Sequence, residues 1–136
     1  MKKQRLIDAN IILRFLTNDD PEKATACESL LSRVESGQEQ VYLPDLIIAD
    51  IIWTLEKYYR VEKRKIREMM IRILAPESLY CSSKSQVLSA LAIYTSKKID
   101  WTDAFVAAQM IASDLKEIYS YDQDFDRLQD ITRITP

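Results

Sequence analysis

A chain of 136 residues, 47% hydrophobic and 29% charged, fits one globular domain and can bury roughly two-thirds of its unfolded surface. Its net charge of −2 and isoelectric point near 5.2 argue against a protein that coats nucleic acid through a broad basic surface. It has no histidine, which excludes Ser-His-Asp and Cys-His nucleophilic machinery and any imidazole acid or base. A hydrolase of this composition would activate water at neutral pH through a metal ion.

In chain order, the basic start Met1-Lys2-Lys3-Gln4-Arg5 is followed by a short apolar run, Arg5 to Ile7, that reads as a strand and ends at Asp8. Asp8, Asn10 and Arg14 interrupt what would otherwise resemble a signal peptide, and no run reaches the ~18 apolar residues of a membrane helix, so a cytoplasmic chain without membrane contact is expected. A helical pattern runs from Asn10 to Leu16. Asp20-Pro21-Glu22 then combines a capping side chain, proline in the first turn and an acid at the positive dipole end, which predicts a helix to about Ser36 with Gly37 as its stop.

Val41 to Leu43 reads as a strand, and Pro44-Asp45 opens a helix to Tyr58 that is apolar over most of its circumference. A helix from Glu62 ends before Pro76, Ser78 to Ser82 is a short strand, and Ser85 to Lys97 is a further helix. Another helix starts near Thr102 and carries Ala104, Ala107, Ala108 and Ala112, small residues suited to close packing. Strands are expected at Ile118 to Tyr121 and Ile131 to Ile134. Short apolar strands alternating with amphipathic helices imply a parallel sheet with helices on its faces, and in such sheets sites gather beyond the carboxyl ends of strands. Cys27 and Cys81, far apart and each beside apolar neighbours, read as reduced, packed thiols. The basic cluster Arg60, Lys63, Arg64, Lys65, Arg67 and Arg72, mixed with Glu62 and Glu68, reads first as a solvated helix face with acid–base pairs.

The aspartates carry the functional signal. Asp8 directly follows the first strand and precedes a helix, so it suits an N-cap and a strand-end site equally. Asp100-Trp101-Thr102-Asp103 places Asp100 or Thr102 at a helix start, and Asp103 shares a face with Ala107 and Met110, which aims it at packed structure where a carboxylate needs a partner or a metal. Asp122 opens Asp122-Gln123-Asp124-Phe125-Asp126 after the late strand, readable as a solvated Asx turn or as a site; the glycine and distal glutamate of a calcium loop are missing. Asp50 lies off the centre of the Ile48/Ile51/Leu55 stripe, where solvated face and site are both open. Such carboxylates cannot all ionise cheaply in one crevice, and Mg²⁺ or Mn²⁺, which prefer oxygen ligands, would supply the missing charge.

Four segments in order resemble the PIN-domain ribonucleases, particularly VapC-like toxins: Leu6-Ile7-Asp8-Ala9-Asn10, Leu43-Pro44-Asp45-Leu46-Ile47-Ile48-Ala49-Asp50, Asp100-Trp101-Thr102-Asp103-Ala104-Phe105-Val106-Ala107-Ala108 and Ser120-Tyr121-Asp122-Gln123-Asp124-Phe125. The resemblance covers nearly the whole chain, residues 1–136, as one domain. It implies a three-layer α/β/α fold with a central parallel sheet and Mg²⁺- or Mn²⁺-dependent phosphodiester hydrolysis of structured RNA. It also implies a homodimer and a cognate antitoxin that occupies the active groove. On that resemblance Asp8, Asp50, Asp103 and Asp122 are the catalytic acids, with Asp8, Asp103 and Asp122 on the metal. Asn10, Arg14, Asp100 and Ser120 surround them, orienting ligands or phosphates. The family's second motif usually carries glutamate, and Asp50 is one methylene shorter.

Two other readings compete. A PIN-like scaffold with weakened catalysis would serve only as a protein- or RNA-binding module. A phosphoacceptor signalling domain would need an acidic pair after the first strand and a lysine after a late one, and Asp8 stands alone.

Overall fold

The computed structural model describes residues 4–136; Met1 to Lys3, the first part of the basic start, lie outside them. The chain divides into two compact units, one ending at Lys84 and one beginning at Ser85.

The first unit is built on three parallel strands, β1 (Gln4–Leu6), β2 (Gln40–Tyr42) and β3 (Leu79–Tyr80), hydrogen-bonded in sequence order. Gln4 is in register with Gln40, and Val41 with Leu79. Parallel neighbours need long crossovers, and helices supply them. Helices α1 (Ala9–Thr17) and α2 (Pro21–Glu35) join β1 to β2, while α3 (Asp45–Lys57) and α4 (Lys63–Leu74) join β2 to β3. Ile7 extends the ladder by donating its N–H to the Tyr42 carbonyl at 3.0 Å, so the chain stays extended up to Asp8.

The helix ends follow local chemistry. Asp20 caps α2 by accepting from the Lys23 N–H, with Pro21 in the first turn, and Gly37 takes the left-handed conformation (φ 84°) just past the helix. Asn18 closes α1 in the same left-handed region (φ 53°), which asparagine tolerates better than most side chains. On α3, Ile48, Ile51, Ile52 and Leu55 recur at helical spacing and are fully buried. Each such side chain contributes about 1.5–3 kcal/mol of apolar burial. The opposite face leaves Leu46 and Trp53 largely exposed. In α4 the buried stripe is Ile66, Met70, Ile73 and Leu74, and Arg64, Lys65 and Arg67 are exposed, with Lys63 paired to Glu56 at 2.9 Å. Cys27 is buried, Cys81 half-buried, and both thiols are free.

The second unit contains α5 (Lys84–Ser96, which starts on the last residue of the first), α6 (Trp101–Ala112), β4 (Glu117–Tyr119) and β5 (Thr132–Ile134). The two strands pair in parallel, Ile118 opposite Arg133, joined by a short 3₁₀ helix over Gln123–Arg127. Val87, Ala90, Leu91 and Tyr94 of α5 and Ala104, Ala107 and Ala108 of α6 are buried. Tyr94 meets Trp101 edge-on with ring centroids 5.9 Å apart, and Trp101 lies 5.8 Å from Phe105. These aromatics fix the first turn of α6, where Asp103 sits.

The expected elements are present with ends shifted by one or two residues, which leaves β3 only Leu79–Tyr80 of the expected 78–82. The addition is the 3₁₀ helix, in a segment that reads as a turn. No helix among the described residues is long and apolar enough to cross a membrane.

Candidate functional site

Three carboxylates of the second unit converge. Asp103, Asp122 and Asp124 each offer an oxygen, and these oxygens lie within 4.8 Å of one another. Asp103 projects half-buried from the first turn of α6. Asp100 occupies the N-cap position of that helix but makes no capping hydrogen bond through its side chain. Neither Asp100 nor Thr102, the latter already inside the helix, therefore acts as the side-chain cap.

Asp122 is presented by a tightly bonded loop after β4. Its N–H donates to Ser120 Oγ at 3.0 Å, and its Oδ1 accepts from the Asp124 N–H at 2.9 Å, an Asx turn that starts the 3₁₀ helix. The loop is held from both sides. Arg133 on β5 grips Asp126 through two bonds of 3.1 Å and donates to the Ser120 carbonyl at 3.3 Å. Arg127 donates to the Lys98 carbonyl at 3.1 Å and lies 3.6 Å from Asp124. At Asp122 the Asx turn is formed, and its geometry brings the carboxylates together.

The electrostatic consequence falls on Asp103. Burial, a hydrogen bond with Asp122, and the charges of Asp122, Asp100 and Asp124 push its carboxyl up from 3.8 to about 6. The donor set, three carboxylates with no histidine or thiol, fits a hard divalent cation such as Mg²⁺ or Mn²⁺.

The PIN domain family model matches residues 5–131. The chain belongs to the PIN-domain family. The alternating helices and parallel strands are those of the α/β PIN fold. A VapC ribonuclease from Aquifex aeolicus (strain VF5) is 23% identical over 124 residues, which cover 91% of each chain.

The other two expected catalytic acids of this PIN domain, Asp8 and Asp50, lie in its first unit. Asp8 caps α1, accepting from the Ala9 N–H at 2.8 Å, and its side chain is exposed directly beyond the sheet ladder. Asp50 is exposed on α3, with the Thr54 hydroxyl donating to it at 3.5 Å. Asn10 is exposed on the first turn of α1. Arg14 is paired with Asp19 at 3.2 Å. Ser120 works as a brace for the Asp122 turn.

Asp124 is the residue the sequence reading did not place in the site. An alternation of acids at 122, 124 and 126 suggests one shared direction, but the 3₁₀ turn separates them: Asp124 joins the cluster, and Asp126 is taken by Arg133. The basic residues at 127 and 133 are the signal for that division. Replacing Arg133 with alanine releases Asp126 and the Ser120 carbonyl together. The expected result is divalent-metal binding roughly tenfold weaker, the usual scale for removing an outer support of a metal site, measured by calorimetric titration with Mn²⁺.

A larger pocket of about 340 Å³, lined by apolar residues such as Phe15, Leu31, Met69 and Ile73, contains none of the expected site residues.

Proposed function

We propose that this PIN domain is a Mg²⁺- or Mn²⁺-dependent endoribonuclease and the toxin of a toxin–antitoxin pair, a cytoplasmic homodimer folded as one domain over residues 1–136. The observation that carries the reading is the clustering of Asp103, Asp122 and Asp124, in which burial and the neighbouring carboxylates raise the pKa of Asp103. Family membership and likeness to a VapC ribonuclease support RNA as the substrate and an antitoxin as the partner.

In this reading Asp103 and Asp122, with Asp124 beside them, hold the metal, and Asp8 joins them. Asp50 completes the catalytic acids. The support for Asp8 and Asp50 is the order of the four motifs along the chain. A bound divalent cation supplies an activated water and stabilises charge on the phosphate. The chain's own task is to aim its carboxylates and attract the cation: Ser120 holds the Asp122 turn, Arg133 locks that turn to β5, and Asp100 adds negative charge beside Asp103, which opposes ionisation of that carboxyl until a cation binds.

Incubation of RNA with wild type, Asp8→Asn and Asp103→Asn in Mg²⁺ or Mn²⁺ tests this. Cleavage by wild type alone is expected. Equal cleavage by all three removes the metal-site reading, and no cleavage by any leaves a PIN-fold scaffold that binds without cutting. Asp50 has its own test. Asp50→Asn should lower the cleavage rate about tenfold, in line with loss of an outer carboxylate. Asp50→Glu, which restores the family's longer side chain, should retain or raise that rate.

A further inference from the structure

A second constellation lies wholly within the first unit. A pocket of about 260 Å³ opens between α1 and α3, and Asn10, Arg14, Asp19, Thr54, Tyr58 and Tyr59 line it. It adjoins both expected catalytic acids of that unit: Thr54 is hydrogen-bonded to Asp50, and Asn10 sits in the first turn of the helix that Asp8 caps. We infer that this pocket, beside Asp8 and Asp50, binds one unpaired RNA base, stacked on Tyr58 and read at its edge by Asn10. The inference rests on the nuclease reading and names the form of RNA it takes.

Charge decides against a phosphate as the occupant. Arg14 is already paired with Asp19, so the pocket's own charges cancel. The Tyr59 hydroxyl donates to Asp19 at 2.6 Å, and that bond, with Arg14's help, holds the Asp19 carboxyl below the usual carboxylate range. Asp19 therefore stays ionised, and an entering phosphate would meet it. A neutral base meets no such repulsion.

Shape and chemistry fit the same occupant. The volume falls just below the roughly 300–1,000 Å³ of drug-sized ligand sites, which suits a single base. Tyr58 is 74% exposed, and its ring is braced edge-on by Tyr59, with centroids 4.8 Å apart and planes at 78°. Because Tyr59 is itself anchored on Asp19, the platform is held before the ligand arrives. The exposed amide of Asn10 offers donors and an acceptor to a base edge and has no partner among the described residues. A base inside a duplex cannot enter such a pocket, so the RNA is single-stranded where it is held.

Fluorescence anisotropy with a labelled short single-stranded oligoribonucleotide, in EDTA so that nothing is cleaved, tests the pocket separately from catalysis. Tyr58→Ala should weaken binding about tenfold, by the same factor at low and moderate salt, because stacking releases no counterions. Tyr58→Phe should bind like wild type, and Asn10→Ala should reduce discrimination among homopolymers. The proposal is overturned if Tyr58→Ala binds like wild type, if Tyr58→Phe loses as much as Tyr58→Ala, or if a duplex of the same sequence binds as tightly. Tyr58-dependent binding with no cleavage in Mn²⁺ sinks the nuclease reading and keeps the pocket; cleavage with Tyr58-independent binding does the reverse.

Discussion

Asp103→Asn is expected to lower RNA cleavage by well over a hundredfold while making the metal-free protein more stable at pH 7.5. The first effect follows from position: even outer supports of metal sites cost ten- to a hundredfold when lost, and Asp103 contributes an oxygen to the cluster itself. The second follows from linkage. Asp103 titrates near 6 in the folded chain against 3.8 as a free side chain, so between those values the folded state binds more protons than the unfolded. Stability from this group is therefore full below about pH 4, falls as pH rises through that window, and remains lower above it. Asparagine keeps the shape and removes the charge. Solvent screening of a half-exposed group reduces the effect to about 1 kcal/mol, a rise of roughly 3 °C in melting temperature. Thermal melts of both proteins in EDTA should show the gain at pH 7.5 and none at pH 4. A variant that is inactive and also less stable at pH 7.5 would mean that Asp103 makes favourable contacts the cluster does not explain.

That opposition of stability and activity at one residue explains which parts of this protein were legible in its sequence. The elements were readable because their signals are local. Pro21 after Asp20, Gly37 past α2, and the 48/51/52/55 spacing on α3 each act within a few residues. Asp103 was readable because it shares a helical face with Ala107 and Met110, where an acid needs a reason to be. Asp124 and Arg14 were not, because their partners are set by backbone turns. The 3₁₀ helix swings Asp124 towards Asp103 and away from Asp126. The left-handed Asn18 turns the chain back so that Asp19 reaches Arg14 and pairs with it. Asp50 shows a different limit, since an exposed acid on an otherwise apolar helix has the same local pattern whether it is solvated or catalytic.

Metal and proton should compete for the same carboxylate, which makes the second expected result a coupled one. Saturating Mn²⁺ or Mg²⁺ at pH 7.5 should raise the melting temperature, since a ligand at a hundred times its dissociation constant stabilises by about 2.7 kcal/mol. At pH 5, one unit below the Asp103 value of about 6, roughly ten molecules carry the proton for each that does not. Metal affinity there should be about tenfold weaker, and the thermal shift at a fixed, sub-saturating metal concentration correspondingly smaller. Cleavage should follow the same titration, rising with pH through a midpoint near 6 at low metal and levelling about one unit above it. Its midpoint should move to lower pH as metal is raised, because the cation favours the ionised carboxylate. Asp103→Asn should abolish the pH dependence of the metal-induced shift. If that dependence survives in the variant, the titrating group lies elsewhere. If the midpoint ignores metal concentration, the proton being lost is not one the metal displaces, and the cluster of Asp103, Asp122 and Asp124 is not where the cation binds.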